Sequence, residues 1–436
     1  MIFLIFIVHF MNISFTRELL SVNVVSRHGD RFSISKLGYD NNIVSNGSLL
    51  QSGKERMHNI GNSLKKRYVD ITGDENWLNL RNLDLHSTVT NRTIESLSSL
   101  ISGLANFVPT NKPSDESSTI NNINSTNAEH MLLLVGSSTC EKSRKIIFET
   151  LNSGEWCDYI LNHKESIELI FNLTQTRFEG WDIIKIFDTL FIEHELGHKL
   201  PEGMNDSLYE ESQRFRDDLF LISYPTHRED FCQPSSGLFM DELFFHNIPT
   251  DLARRSSESL NFKPGYHHYS AHDASIIILA GCLGLDFEGT CPRYGSLFVT
   301  EVYMNEENAS DPIVEFLYDK GPDQDGTLHL KHFSSPFCEK SEPCTLSHLQ
   351  HSFQKMHEII QKGEFIDQIC GRGKDGWWPK FVVTQSDEKN LFTKKSDQKL
   401  ILFVVNAISA IIIVFTLYMS WKKLHSPPKN VLKKKN

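Results

Sequence analysis

Several features that would place this chain in a simple class are missing from its sequence. No two of its eight cysteines are separated by only two residues, so the CxxC pairs typical of zinc sites are absent. No internal repeat is visible. Basic residues are outnumbered by acidic ones, and a net charge of −11 argues against nucleic acid as a partner. With 39% hydrophobic and 23% charged residues, the composition is that of an ordinary globular protein.

Two apolar segments near the ends of the chain also contain no charged residue. Met1–Met11 is apolar but too short to cross a bilayer, and we interpret residues 1–16 as a signal peptide; the alternative is a buried N-terminal strand. Residues 400–421 carry no charge over a length that crosses about 30 Å of hydrocarbon as a helix. Lysines in residues 422–436 favour the cytoplasm. The sequence therefore predicts a single-pass type I membrane protein whose bulk is lumenal or extracellular.

All eight cysteines lie between these two hydrophobic ends. An even number of cysteines in an exported segment is typical of disulfides. Short spacings favour Cys282–Cys291 and Cys338–Cys344, although sequence alone does not fix the connectivity. Between the two hydrophobic ends, six Asn-x-Ser/Thr sequons add weight to an exported glycoprotein: Asn46, Asn91, Asn124, Asn172, Asn205 and Asn308.

Short β-branched apolar runs alternate with helical patterns along the chain. Leu19–Val25 is typical of a buried strand, Gln51–Tyr68 has helical spacing, and Tyr266–Ser270 is a strand-like run that precedes another helix. Residues 131–235 are mostly helical in period, and we interpret them as a helical insertion or cap. Strands that alternate with helices predict an α/β fold, in which ligands bind beyond the carboxyl ends of the strands.

The first predicted strand ends abruptly in Arg27-His28-Gly29-Asp30-Arg31. Arginine presents planar donors suited to phosphate oxygens, and histidine can act as a nucleophile, base or metal ligand. Gly29 allows a sharp turn or a close approach of the backbone. The cluster is consistent with phosphate chemistry or, alternatively, with a solvated basic turn.

Two later segments place further polar residues at strand ends. Ser87-Thr88-Val89-Thr90-Asn91-Arg92-Thr93 runs from a strand end into a helix, and Tyr269-Ser270-Ala271-His272-Asp273 follows a strand and precedes a helix.

Taken in order, these three motifs resemble the RHGxRxP, STDxxRT and YSAHD signatures of the histidine acid phosphatases, a branch of the histidine phosphatase superfamily. Ser33 stands where the first signature has proline, which puts the rigidity of that loop in question. Val89 stands where the second has aspartate, so a supporting contact is lost. The resemblance spans roughly residues 19–376 and looks closest to the lysosomal and prostatic group.

The resemblance implies a phosphoglycerate-mutase-like three-layer α/β/α core with a mostly helical cap. It also implies a homodimer, because related phosphatases are often dimers. The predicted order is a signal peptide (1–16), the first part of the core (17–130), the cap (131–235), the second part of the core (236–383), a stalk (384–399), a transmembrane helix (400–421) and a cytoplasmic tail (422–436).

The mechanism implied by the resemblance uses no metal and no cofactor. His28 attacks phosphorus and forms a phosphohistidine, while Asp273 donates a proton to the leaving alcohol. Arg27, Arg31, Arg92 and His272 bind the phosphoryl group of a small-molecule or phosphoprotein monoester. An aspartic acid side chain in water has a pKa of about 3.9, so a proton donor of this type predicts an acidic optimum.

Alternatives within and outside the family remain open at this point. A narrow phosphatase acting on lysophosphatidic acid, an inositol phosphate or a phosphosugar has the same motifs, and the exported topology argues against a mutase. An inactive binding ectodomain is a further alternative. The Glu193-His194-Glu195 and His198 group lacks metal-ligand spacing and is interpreted as surface. The lysosome, the endomembrane system and the cell surface all fit the predicted topology.

Overall fold

Six strands form one sheet in the part of the chain that the structure describes. This computed structural model describes residues 17–80, 82–105, 140–177, 182–258, 262–338 and 343–371, which all lie within Met1–Gly376. The strands are β1 (Leu19–Arg27), β2 (Leu83–Ser87), β3 (Gly265–Ala271), β4 (Leu297–Tyr303), β5 (Ile313–Asp319) and β6 (Lys331–Phe333).

The sheet order is β2-β3-β1-β4-β5-β6, and its two halves differ in strand direction. Strands β2, β3 and β1 run parallel, whereas β4, β5 and β6 are antiparallel to their neighbours. Arg27 pairs with Ala271 in the β1–β3 register, and Ser87 pairs with Ser270 in the β2–β3 register. The carboxyl ends of all three parallel strands therefore meet at one edge, where each is followed by one of the three sequence motifs.

Helices connect the strands, and most of the described helices lie between β2 and β3. Before that segment come α1 (Gln51–Thr72) and α2 (Asn91–Leu104), and after it come α10 (Asp273–Cys282) and α11 (Leu346–Gln361). The helices between Cys140 and Phe262 are α3 (Glu141–Thr150), α4 (Gly154–Asn162), α5 (Lys164–Thr174), α6 (Ile183–Glu195), α7 (Asp206–Ser223), α8 (Glu229–Asp241), a π-helix (Glu242–Asn247) and α9 (Ile248–Glu258). A second π-helix spans Phe365–Gly371.

Apolar side chains cover both faces of the sheet, as expected for buried parallel strands. Every residue of β1 is buried. On one face Val22 and Val24 belong to a cluster with Leu64 of α1 and Leu100 of α2. On the other face Val25 joins a cluster that contains residues of α8, α10 and α11. This arrangement confirms the predicted α/β fold.

The disulfide predictions are only partly confirmed. Cys338 pairs with Cys344 as expected, but Cys282 pairs with Cys232 and not with Cys291. A third disulfide joins Cys140 to Cys370. Cys157 is exposed and free, and Cys291 is buried and free. Short separation along the chain misled the prediction, because α8 packs against α10 and brings residues 232 and 282 together despite a sequence separation of 50.

The predicted membrane elements lie outside the described residues. These are the signal peptide (1–16), the stalk (384–399), the membrane helix (400–421) and the tail (422–436), and each stays a prediction. Within the residues that the structure does describe, no helix has both the length and the apolar character needed to cross a bilayer.

Candidate active site

Two glycines allow the loop after β1 to lie directly against α1. A Cβ on Gly29 would be 2.5 Å from the carbonyl oxygen of Gly53, and a Cβ on Gly53 would be 2.3 Å from the carbonyl oxygen of Asp30. Real side chains do not approach backbone oxygen so closely, so this contact requires glycine on both sides. The Gly29 amide also donates to Ser96 Oγ at 3.0 Å. These contacts hold His28 at the carboxyl end of β1.

His28 is buried and neutral. Burial and the nearby positive charges of Arg92, Arg27 and Arg31 lower its pKa well below the usual value. Its Nδ1 lies 2.9 Å from the carbonyl oxygen of Gly29, and a carbonyl only accepts, so Nδ1 carries the proton. The other ring nitrogen, Nε2, therefore keeps its lone pair, as a nucleophile requires.

Three arginines, Arg27, Arg31 and Arg92, surround this histidine. Arg27 pairs with Asp273 at 2.7 Å, and Arg31 pairs with Asp188 at 2.9 Å. The buried Nε atoms of Arg27, Arg31 and Arg92 have no hydrogen-bond partner among the residues that the structure describes. Unsatisfied buried donors are costly, and three converging guanidinium groups form a cradle for an anion such as phosphate.

The arginines differ in electrostatic surroundings. Burial alone would lower the pKa of Arg31, but Tyr294, Asp188 and Asp273 raise it overall. Burial and the charge of Arg31 instead lower the pKa of Arg92 to about 10. Arg92 still carries its charge at acidic and neutral pH, and it gains most from an added anion because fewer carboxylates offset it.

The third motif lies beside the first because β3 is the parallel neighbour of β1. The rings of His28 and His272 are 5.6 Å apart between centroids. His272 Nδ1 accepts from Arg92 at 3.4 Å, so Nε2 carries the proton and donates to Thr88 Oγ1 at 3.0 Å. Burial and the charges of the arginines lower the pKa of His272, which keeps it neutral. All three motifs thus contact one another through this ring.

Asp273 occupies the first turn of α10, next to His272. Its Oδ1 accepts from the amide of Ala274 at 2.8 Å, and its Oδ2 pairs with Arg27. The side chain is 23% exposed, so it is reachable from the pocket opening. Every residue predicted for the site is therefore in one place: His28, Asp273, Arg27, Arg31, Arg92 and His272.

The two departures from the family signatures have different structural consequences. Ser33, at the proline position, is fully buried, and its hydroxyl donates to the carbonyl of Ser35 at 2.7 Å and lies 2.8 Å from Thr189 Oγ1. Hydrogen bonds thus fix this loop to α6 where a proline ring would stiffen it. Val89, at the aspartate position, is 45% exposed and supplies no polar contact to the site.

Sequence reasoning missed two residues of the site. The buried Tyr294 ring lies 4.4 Å from the Arg27 guanidinium and 5.8 Å from the His28 ring, between centroids. Burial raises the pKa of its hydroxyl, which stays protonated, and the hydroxyl has no partner within the described part of the chain. Asp188 of α6 is the partner of Arg31. Neither residue lies in a motif, and only the fold brings them to the pocket.

Other residues singled out from the sequence lie elsewhere. Glu193 and His198 pair with each other at 2.7 Å, an ordinary contact at the end of α6. Sequon asparagines within the described residues are exposed, as glycosylation requires, and these are Asn46, Asn91, Asn172, Asn205 and Asn308. Asn124 lies outside the described residues. Asn91 directly precedes Arg92 at the start of α2, and its modification stays untested.

Comparison with known proteins agrees with this geometry. The sequence model of the histidine phosphatase superfamily (branch 2) matches residues 18–218. A lysosomal acid phosphatase from Xenopus laevis is 26% identical over 313 residues, covering 67% of each chain. A prostatic acid phosphatase from Bos taurus is 25% identical over 308 residues, covering 66% of this chain and 75% of its own. Over residues 18–218 the chain is similar to branch 2 of the histidine phosphatase superfamily, and its similarity to these acid phosphatases supports a phosphoric monoester hydrolase.

Solved structures share the fold at much lower sequence identity. A phytase from Citrobacter braakii superposes with a TM-score of 0.56 at 13% identity, covering 78% of this chain and 98% of its own. A Hafnia alvei phytase in complex with myo-inositol hexakis sulphate gives a TM-score of 0.54 at 14% identity, covering 78% and 97%. At sequence identities this low, the similarity shows a shared fold and nothing more.

Proposed function

We propose that this chain is an acid phosphatase that works through a phosphohistidine on His28, with Asp273 as proton donor. The observation that carries the proposal is the tautomer of His28. Its Nδ1 proton is held by the Gly29 carbonyl, so Nε2 presents a lone pair among three arginines with unpaired donors. A nucleophile and an anion cradle in one buried place suit phosphoryl transfer.

In the first step Arg27, Arg31, Arg92 and His272 bind the phosphoryl oxygens. His28 Nε2 forms a bond to phosphorus as the bond from phosphorus to the alcohol oxygen breaks, and Asp273 gives its proton to that oxygen. The arginines stabilise the charge on the equatorial oxygens. His28 is neutral in the free pocket and becomes cationic only as the phosphohistidine forms.

Substrate binding competes with the ion pair of the proton donor. Without substrate, the Asp273 carboxylate is paired with Arg27 at 2.7 Å. A phosphate dianion competes for the same guanidinium, which frees the Asp273 carboxyl group to face the leaving oxygen. In the second step water attacks phosphorus and gives a proton to the Asp273 carboxylate, while the bond between His28 and phosphorus breaks.

An acidic pH optimum follows from these two groups. The lowered pKa of His28 keeps the nucleophile unprotonated below pH 6.5, where an ordinary histidine gains a proton. Asp273 must be protonated in the first step, and this form becomes scarcer as pH rises. Activity is thus expected to fall on the alkaline side first.

The direct test is hydrolysis of p-nitrophenyl phosphate by the full-length chain between about pH 4 and about pH 8. We expect an acidic maximum without added metal, and loss of turnover in His28→Ala. His351→Ala, at an exposed position of α11, is the matched control and retains full activity. Rapid quenching should trap phosphate on the wild-type chain in an acid-labile, alkali-stable form. Normal turnover by His28→Ala would refute the assignment.

A second test isolates the role of Asp273. p-Nitrophenolate leaves readily without protonation, whereas an alkoxide does not. Asp273→Asn should therefore lose much more activity on an alkyl phosphate than on p-nitrophenyl phosphate. Equal losses on both substrates would show that Asp273 is not the proton donor.

Substrate range is a separate part of the proposal. We favour broad specificity. One alternative is a narrow phosphatase for lysophosphatidic acid, an inositol phosphate or a phosphosugar, and the other is an inactive binding ectodomain. A panel of these esters decides among them. Comparable kcat/KM values across the panel support broad specificity, one value far above the others supports a narrow enzyme, and no turnover of any ester supports the binding ectodomain.

The finer architecture and the topology are also proposals. We infer a phosphoglycerate-mutase-like three-layer core, with the helices of residues 131–235 forming a cap, and a homodimer. Relatives named lysosomal and prostatic acid phosphatases support a lumenal or extracellular site of action. Alkaline carbonate extraction before and after truncation at Lys399 tests the predicted membrane helix. Release of the full-length chain by carbonate would contradict anchoring.

A further inference from the structure

Outside the phosphate pocket, three side chains with metal-ligand chemistry converge on one point. Asp241 ends α8, His246 lies in the π-helix Glu242–Asn247, and His357 belongs to α11. One ligand atom from each lies within 4.8 Å of the other two. The closest contacts are 2.7 Å from Asp241 Oδ1 to His357 Nδ1 and 3.1 Å from Asp241 Oδ2 to His246 Nε2.

The π-helix is what aligns the first two of these residues. Asp241 and His246 are five positions apart, a spacing that places side chains on different faces of an α-helix. In a π-helix the backbone hydrogen bonds run between residues five apart, so such residues lie one above the other. π-helical turns are rare and concentrate at functional sites. The π-helical turn therefore brings Asp241 and His246 together, which an α-helical turn would not do.

The third ligand is oriented by an aromatic contact. The His357 ring stacks on Phe245 with centroids 4.0 Å apart and an interplanar angle of 5°. This stacking fixes the plane in which Nδ1 faces Asp241. The Asp241 side chain is 5% exposed, whereas His246 is 46% exposed, so an ion can enter from the His246 side.

We propose that Asp241, His246 and His357 form a binding site for a divalent transition metal of the Zn²⁺ type. Two imidazoles and a carboxylate suit zinc, with a fourth position left for water, whereas Mg²⁺ and Ca²⁺ prefer oxygen ligands throughout. Zinc–ligand bonds of about 2.0–2.1 Å separate tetrahedral ligands by roughly 3.3 Å. To admit the ion, the 2.7 Å contact would open by roughly 0.6 Å, and the more distant ligand atoms, all within 4.8 Å of one another, would move closer.

The ion would connect helices rather than take part in phosphoryl transfer. The three ligands contact one another and Phe245, and none of them is a residue of the phosphate pocket. A bound metal would join the end of α8 and the π-helix to α11. This chain thereby gains a metal-dependent contribution to stability that is separate from phosphoryl transfer.

The test is metal binding by the full-length, chelator-treated chain. Calorimetric titration with Zn²⁺ should give one tight site per chain, and Co²⁺ should give visible absorption bands of tetrahedral strength. His246→Asn and His357→Asn should each weaken Zn²⁺ affinity at least about tenfold and abolish the Zn²⁺-dependent rise in Tm. His351→Asn, an exposed histidine of the same helix, is the matched control and should bind like the wild type.

Two outcomes would overturn the site. One is Zn²⁺ affinity in both variants equal to that of His351→Asn, which would leave a pair of ordinary hydrogen bonds to Asp241. The other is a binding event that disappears in His28→Ala but not in His246→Asn, which would place the ion in the phosphate pocket. Because His246 is half-exposed, its replacement should leave the chain folded, and unchanged hydrolysis of p-nitrophenyl phosphate confirms this.

Discussion

The Tyr294 hydroxyl offers the sharpest test of the pocket, because its contributions to stability and to activity should oppose each other. It is buried beside Arg27, and no described residue hydrogen-bonds to it. Tyr294→Phe removes only the oxygen and keeps the ring that packs against the guanidinium and against Phe191. The change therefore isolates a single donor.

The expected magnitudes follow from the cost of an unmade hydrogen bond. A buried unsatisfied polar group costs about 1–3 kcal/mol, so the variant should be more stable than the wild type by about that amount in the absence of phosphate. A hydrogen bond to a charged group contributes about 1.5–3 kcal/mol. If the hydroxyl donates to the phosphoryl group, its loss should lower kcat/KM roughly 10- to 100-fold.

Two measurements on the same variant test both halves of this argument. Thermal unfolding without phosphate gives the stability difference, and added inorganic phosphate should raise Tm less in Tyr294→Phe than in the wild type. Hydrolysis of p-nitrophenyl phosphate gives kcat/KM. Tyr318→Phe is the matched control, because the Tyr318 hydroxyl also lacks a partner among the described residues but its ring packs on Phe287. The control should change stability without changing activity.

The reasoning fails if Tyr294→Phe behaves like Tyr318→Phe. Equal kcat/KM and an equal response to phosphate would show that the hydroxyl does not reach the phosphoryl group. A loss of stability without phosphate would show that the hydroxyl is already satisfied in the free enzyme.

Three further predictions concern the loop, the charge balance and the response to acid. Gly29→Ala should destabilise the chain by about 1–3 kcal/mol in denaturant unfolding and reduce activity, because its Cβ would meet the Gly53 carbonyl at 2.5 Å. Gly154→Ala, whose Cβ meets nothing closer than 3.9 Å, should do neither, and equal effects would contradict the packing argument. Asp188→Asn removes a negative charge beside Arg31 and should tighten product inhibition by phosphate severalfold; weaker inhibition would show that the carboxylate mainly positions the arginine. Burial lowers the pKa of His268 to about 3, so between pH 6.5 and 3 the unfolded chain binds a proton that the folded chain excludes. As pH is lowered through this window, His268 should therefore reduce the free energy of unfolding by about 1.4 kcal/mol per pH unit. A His268→Gln variant whose stability has the same pH dependence as the wild type would refute that.

Local patterns in the sequence predicted the α/β class, and the resemblance of three motifs to a family's signatures predicted the residues of the pocket. The buried run that becomes β1 is continuous and β-branched because both faces of a central parallel strand are covered. His28, Arg92 and His272 follow strands or begin helices, and parallel strands end at one edge of a sheet. When strands pair in parallel, the residues that meet at their carboxyl ends can thus be inferred from the order of the motifs along the chain.

Only the tertiary structure decided which residues from outside those strand ends reach the pocket. Tyr294 and Asp188 reach the pocket from a loop and from α6, and no pattern in their neighbourhood marks them. Cys232 finds Cys282 because two helices pack together. A sequence specifies local conformation through nearby residues, whereas contacts across tens or hundreds of positions depend on how whole elements pack. Such pairings become visible only once the elements are in place.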